Sequence, residues 1–405
     1  MTPVNRRMFL VLVLASYGIA LLEPVPPLSA AWPFLPAERR DAQGSANPES
    51  FEELAERARA ALDADRVPEA IRLYERATNL RPDWTEGWWH LGTLLFDASR
   101  YREARDAFAH FVATEKTQPG PGFGMLGLSE FQLKDSAKAL AALERGIRLG
   151  LGPDLAFNRS VLVEDGALNS SIGKFEIALE RLTLAANRIA VEHPDAPKDA
   201  VLADTDLLDA FGIAALRLAK LPAELPATKK IVVRKAGRAQ AYIALQDRVT
   251  AEIEFQQLLA LYPSEPGVHY MYGVFLLKEH PPLAVDEFKR EIEISPSRDA
   301  ARIQLSFEFL RTGDYDEGLK YAREAVALAP QNFAAHVVCG RLWLELGKTA
   351  RALQELRTAV NLAPGSPDAH FALSRALSVA GSEKDAAHER AEFERLKALV
   401  DAADH

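Results

Sequence analysis

Nine histidines are the side chains best suited to metal ligation or proton transfer: His90, His110, His193, His269, His280, His336, His370, His388 and His405. A zinc site needs such residues at short, helix-compatible spacing, or beside cysteines and carboxylates. No pair here forms HExxH or HxH. Cys339 is the only cysteine, so intramolecular disulfides and Cys-based zinc clusters are excluded. It reads as a small core residue. A GxSxG elbow for a serine nucleophile and a GxxxxGK[ST] phosphate loop are both absent. Asp204-Thr205-Asp206 is a lone DxD, with no nucleotide-sugar domain around it. Two glycosylation patterns occur, Asn158-Arg159-Ser160 and Asn169-Ser170-Ser171. The second falls inside a predicted packed helix, and both are discounted. The expectation is therefore a chain with no catalytic residues, no metal, no cofactor and no small-molecule substrate.

What remains is the framework. The chain has 405 residues, 48% hydrophobic and 26% charged, an ordinary soluble composition. Lys+Arg number 48 against 57 Asp+Glu, a net charge of -9. That balance argues against nucleic-acid binding, where affinity comes mainly from neutralising phosphates.

The sequence repeats about every 34 residues, in registers that begin at 51, 85, 120, 159, 232, 266, 299, 333 and 367. The twentieth position holds Ala70, Ala104, Ala139, Ala178, Ala251, Ala352 and Ala386, with Gly318 in one register. The register at 266 lacks one residue and places Ala284 there after the shift. The eighth position holds Gly92, Gly127, Gly166, Gly273 and Gly340, or another small residue. Four residues after the small one stands a bulky one, such as Tyr74, Phe108, Leu143, Leu182, Phe255, Phe288 and Leu356. Pro82, Pro263, Pro296, Pro330 and Pro364 close their repeats. Small residues on both helices of a pair let the axes approach, and the bulky residue fills the gap beside the crossing. Proline then ends the second helix. A single pair cannot bury its apolar face, so pairs must stack.

With Trp88, Leu91, Gly92, Leu95, Ala104 and Phe108 in one register and Leu54, Ala58, Ala70, Tyr74, Ala77 and Pro82 in another, the chain resembles the tetratricopeptide-repeat family over about three quarters of its length. The resemblance implies an all-α, right-handed superhelical solenoid of antiparallel helix pairs, with about nine repeats plus one degenerate repeat. It says little of function, because one fold serves many partners.

The organisation expected is residues 1–31 as signal peptide or N-terminal membrane anchor, and 32–50 as flexible linker. Repeats follow over 51–192, a degenerate repeat or insertion over 193–231, more repeats with a polar capping helix over 232–400, and a tail over 401–405. Arg6-Arg7 precedes an uncharged run from Met8 to Leu22, short of the ~20 apolar residues of a spanning helix. Ser29-Ala30-Ala31 offers a cleavage site. Either way the bulk of the chain is expected outside the cytoplasm, periplasmic or secreted, or held at the inner membrane by residues 8–22. In the degenerate stretch, Leu208, Phe211 and Gly212 suggest a first helix near 200–220, and Pro222 and Pro226 suggest that its partner is cut off. Asp195, Asp199, Asp204, Asp206 and Asp209 there precede Lys229, Lys230, Arg234, Lys235 and Arg238, which reads as two solvated, partly paired faces or as a docking break. Arg390 takes a core-aromatic position in the last helix, as suits a terminal cap.

In the family, first helices line a concave groove. Carried onto this chain, that gives Trp89, Thr93, Phe96, Leu128, Phe131, Gln132, Val163, Ser170, Tyr270, Val274, Phe307, Leu310, Arg341 and Phe371. Either neighbouring helices cover these residues, or they form apolar pockets for a peptide. Ala55, Trp89 and Gly124 stand where family members that clamp a C-terminal carboxylate need lysines, so that mode is not expected. His336 and His370 share the fourth position with Trp88, and so belong to one helix face rather than to a ligand set. The function expected is a non-enzymatic scaffold of the bacterial cell envelope that binds a protein or peptide partner. The alternative is a targeting or regulatory subunit of a separately encoded modifying enzyme, such as a glycosyltransferase.

Overall fold

The computed structural model describes residues 49–403. The expected signal peptide or anchor, and all of the linker before residue 49, lie outside the described residues. Among these, twenty α-helices and one 3-10 turn account for the regular structure, with no strand. No described helix is long and apolar enough to cross a membrane.

The helices come in pairs. They are α1 (Phe51–Asp63) and α2 (Val67–Leu80), α3 (Thr85–Asp97) and α4 (Tyr101–Thr114), and α5 (Gly120–Gln132) and α6 (Ser136–Leu149), after which come α7 (Leu155–Ser171) and α8 (Phe175–Glu192). The short α9 (Pro197–Ala203) leads to α10 (Thr205–Ala215), α11 (Ala227–Ala244) and α12 (Arg248–Leu261). The series closes with α13 (Val268–Leu276) and α14 (Pro281–Ile294), α15 (Ala300–Thr312) and α16 (Tyr315–Leu328), α17 (Phe333–Glu345) and α18 (Thr349–Leu362), and α19 (Pro367–Val379) and α20 (Glu383–Ala403). The expected tail at 401–405 is thus helical to residue 403. The chain divides into two compact units. One runs to Asn169 and includes Leu184–Pro197; the other holds Ser170–Thr183 and the chain from Lys198 onward.

The small-and-bulky columns meet as their spacing requires. A Cβ built on Gly92 would lie 2.7 Å from the Phe108 ring, and one on Gly127 2.6 Å from Leu143. The corresponding distances are 2.6 Å for Gly273 against Phe288 and 2.5 Å for Gly340 against Leu356. Tyr74, Phe108, Phe255 and Phe288 are fully buried beside these crossings. Ser50 opens the first repeat with a capping box, its Oγ accepting from Glu53 N at 3.2 Å while its own N donates to Glu53 at 3.0 Å.

The turn inside the pair is also uniform in eight of the nine registers. Asp65, Ser99, Lys134, Gly173, Gln246, Gly313, Gly347 and Gly381 all take a left-handed conformation at the fifteenth position. The next N–H then reaches back five residues, as in Arg66 N to Ala61 O at 2.9 Å and Lys348 N to Trp343 O at 2.8 Å. The register at 266 is one residue short and has no left-handed residue at this point.

Arg217 has the same left-handed turn, with Leu218 N bonded to Ile213 O at 2.9 Å. So α10 ends as the first helix of a true repeat. Its partner is not cut off: α11 serves it. Pro222 opens the 3-10 turn and Pro226 is the N-cap of α11, positions where a missing N–H costs little. The α10–α11 approach is very close. A Cβ on Gly212 would sit 1.9 Å from Val233 O, and one on Gly237 1.8 Å from Leu208 O. Arg234 forks onto Asp209 across this crossing, at 2.9 and 2.7 Å. The acidic and basic runs are therefore partly paired with each other. Lys229 and Arg238 instead pair with Glu265 (2.6 Å) and Glu254 (2.9 Å). Arg390 is exposed on α20, where a further repeat would need a core residue.

Candidate interaction surface

The residues expected on the groove fall in both units, and each set is described within its own. In the first unit, Trp89 is half-buried on α3, its ring 5.9 Å from Phe108 and 5.2 Å from Phe111. One side of the indole is therefore packing. Thr93 is half-buried, and its hydroxyl donates to His90 O at 3.0 Å. Phe96 does not belong to a binding surface. It is buried at 5% exposure, edge-on to Tyr101 at 5.3 Å. Leu128, Phe131 and Gln132 are half-buried on α5, with the Lys134 ammonium 5.8 Å from the Phe131 ring. Val163 is half-buried.

In the second unit two expectations are corrected. Ser170 is fully buried. Tyr270 is buried in the core around α11–α14, where Arg217 stacks 4.7 Å from Phe175 and 5.3 Å from Tyr270. The guanidinium also donates to Glu176 at 2.6 Å and to the Tyr270 hydroxyl at 3.3 Å. A repeat position says which way Tyr270 faces, but not that this arginine covers it. Val274 is exposed, Phe307, Leu310 and Arg341 are half-buried, and Phe371 is exposed with its ring 5.2 Å from Phe393.

The histidines form a repeated structural clasp. His269 Nδ1 meets Glu287 at 2.5 Å while Nε2 donates to Pro263 O at 2.9 Å. His336 does the same with Glu355 (2.6 Å) and Pro330 O (3.0 Å), and His370 with Glu389 (2.6 Å) and Pro364 O (3.0 Å). Each ring thus ties the first helix to its own second helix and to the carbonyl of the proline that closes the preceding repeat. Trp88 makes the carbonyl half of the clasp, donating to Pro82 O at 2.8 Å while stacking on His110 at 4.4 Å. His269 belongs to the column of His336 and His370, and the six-residue spacing from the closing proline is the signal that groups all three. The hydrogen bond to Glu287 raises the His269 pKa, against the opposing effect of burial.

The remaining chemistry-bearing residues have structural places. Asp204 of the DxD caps α10, accepting from Leu207 N at 3.0 Å. Cys339 is buried, and burial pushes its thiol up to about 12. Asn158 and Asn169 are both buried. Among the described residues no group of three or more His, Cys, Asp or Glu is placed to hold a metal ion.

Residues 56–118 and 309–376 each match a family model described as tetratricopeptide repeat. This chain is a tetratricopeptide-repeat protein. No curated protein sequence matches it. Among solved structures, "MamA 41-end from Desulfovibrio magneticus RS-1" is 18% identical over 42% of this chain and 96% of that one, at a TM-score of 0.37. "Crystal Structure of the Yeast Tom70" is 12% identical over 87% and 95%, at a TM-score of 0.36. The tetratricopeptide repeats make the chain a protein-interaction scaffold.

Proposed function

We propose that this tetratricopeptide-repeat protein is a non-enzymatic scaffold of the bacterial cell envelope that binds a protein or peptide through the faces of its first helices. One observation carries the binding reading. The second-helix aromatics that stand four residues after the small one, Tyr74, Phe108, Phe255 and Phe288, are fully buried, whereas Trp89, Phe131, Phe307 and Phe371 on first helices keep part of their surface open. Accessible aromatics held on rigid helices are suited to anchor a partner, since little conformational entropy is lost when they are covered. The location rests on residues 1–31, where Arg6-Arg7, the apolar run to Leu22 and Ser29-Ala30-Ala31 have the order of an export signal. A C-terminal alkaline phosphatase fusion expressed in a bacterium tests it. The expected result is an active phosphatase. An inactive phosphatase, with an active cytoplasmic reporter in the same position, would place residues 49–405 inside and sink the location.

A further inference from the structure

Position nine of three successive first helices holds Phe307, Arg341 and Arg375. Equivalent positions of stacked repeats lie side by side, so these residues form one stripe on α15, α17 and α19. Beside it is a cleft lined by Arg341, Leu344, Glu345, Phe371, Ala372 and Arg375. Two features of this cleft point to a ligand. Phe371 is 46% exposed at its edge, although it stands on a well-packed helix.

The second feature is Arg341. Its guanidinium lies 5.8 Å from the Phe307 ring. It is half-buried, yet among the described residues it makes no ion pair and no hydrogen bond. Glu345 reaches Arg375 instead, at 3.5 Å. Burial, and then the neighbouring Arg375 charge, hold the Arg341 guanidinium below its ordinary range, with Asp368 and Glu345 offsetting part of this. A partly desolvated cation beside a second cation is an unfavourable arrangement in the free protein. A carboxylate placed between the two would relieve it through charge-assisted hydrogen bonds. The nearby ring and Leu344 supply apolar surface for an adjacent side chain.

We propose that the Arg341–Arg375 cleft with Phe371 docks an acidic peptide segment, one that sets a carboxylate side chain next to an apolar one. The proposal rests on the scaffold reading and names the partner chemistry of its C-terminal repeats. Charge complementarity chooses this occupant: Glu345 is taken up by Arg375, so the carboxylate that Arg341 lacks has to come from a partner that is locally acidic.

The probe is a displayed library of random twelve-residue peptides, selected on the full chain. Recovered peptides should be enriched in Asp and Glu next to Leu, Ile, Phe or Met. Synthesised and titrated, they should lose about tenfold or more in affinity for Arg341→Gln, the loss expected when a charge-assisted bond is removed. Phe371→Ala should weaken them too, and affinity should fall as salt rises. Arg341→Gln should melt close to the parent, whereas Phe371→Ala loses its contact with Phe393 and should melt somewhat lower while staying folded at the assay temperature. Arg341→Lys should restore part of the binding by keeping the charge. Peptides that bind equally to the parent and Arg341→Gln, or that carry no acidic residue, would overturn this site while leaving the scaffold reading intact. If no peptide is recovered at all, both fail.

Discussion

Gly237 on α11 is the position where helix propensity and packing make opposite demands. In an exposed helix interior, Gly→Ala stabilises by about 0.5–1 kcal/mol. Here the added Cβ would stand 1.8 Å from Leu208 O, where 3.4 Å is ordinary contact. The crossing would have to open by the difference, about 1.6 Å. Neither atom is the end of a flexible side chain, so the helices must move as bodies. The same movement disturbs Gly212 against Val233 O and the Asp209–Arg234 fork. Overpacking of this kind costs about 1–3 kcal/mol, occasionally more. The packing cost outweighs the propensity gain, and the net expectation is a loss of about 1–2 kcal/mol. Arrays need not unfold in one step, so the assay joins thermal melting with hydrogen exchange of α10 and α11. Gly365→Ala is the control: nothing lies within 4 Å of its added Cβ, and its backbone is not left-handed. It should be neutral or stabilise by up to about 1 kcal/mol. If Gly237→Ala melts at or above the parent, with α10 and α11 as protected as before, the close crossing is not there.

Phe108→Ala removes a fully buried ring beside Gly92 and should cost about 3–5 kcal/mol in urea unfolding. Trp89→Ala should cost clearly less, because only one side of that ring is packed; equal losses would make Trp89 a core residue. The clasp at His269 sets a pH dependence. The groups around it are Glu287, which raises its pKa, and Arg290, which opposes that rise. Stability gained from a raised folded pKa is full below the unfolded value, about 6.5, and is lost as pH climbs through the folded value. The melting difference between parent and His269→Gln should therefore shrink from pH 6 toward alkaline pH, and a difference that grows would reverse the assignment.

Much of the fold could be read in the sequence because the helix crossing admits few residue types. Only a small residue fits where Gly92, Gly127, Gly273 and Gly340 stand, so the period survives in the chain even where other positions drift. The turn column was not legible in the same way. Asp65, Ser99, Lys134 and Gln246 take the left-handed conformation that glycine takes in later repeats, and no single residue type marks it. The partner of α10 was missed because Pro222 and Pro226 read as stops, while their actual places are a 3-10 start and a helix cap. The interaction surface was legible only as a face. Whether a residue on that face is open depends on long-range neighbours. Tyr101 closes over Phe96 and Arg217 over Tyr270, but no such side chain covers Phe371 to the same extent.

The central claim is that first helices, not second helices, present the binding surface. Hydrogen exchange of the full chain, with and without a peptide recovered from the display library, tests it directly. Added protection should appear in α17 and α19, with α16 and α18 unchanged. Protection confined to α16, α18 or α20, with none on α17 or α19, would contradict the account.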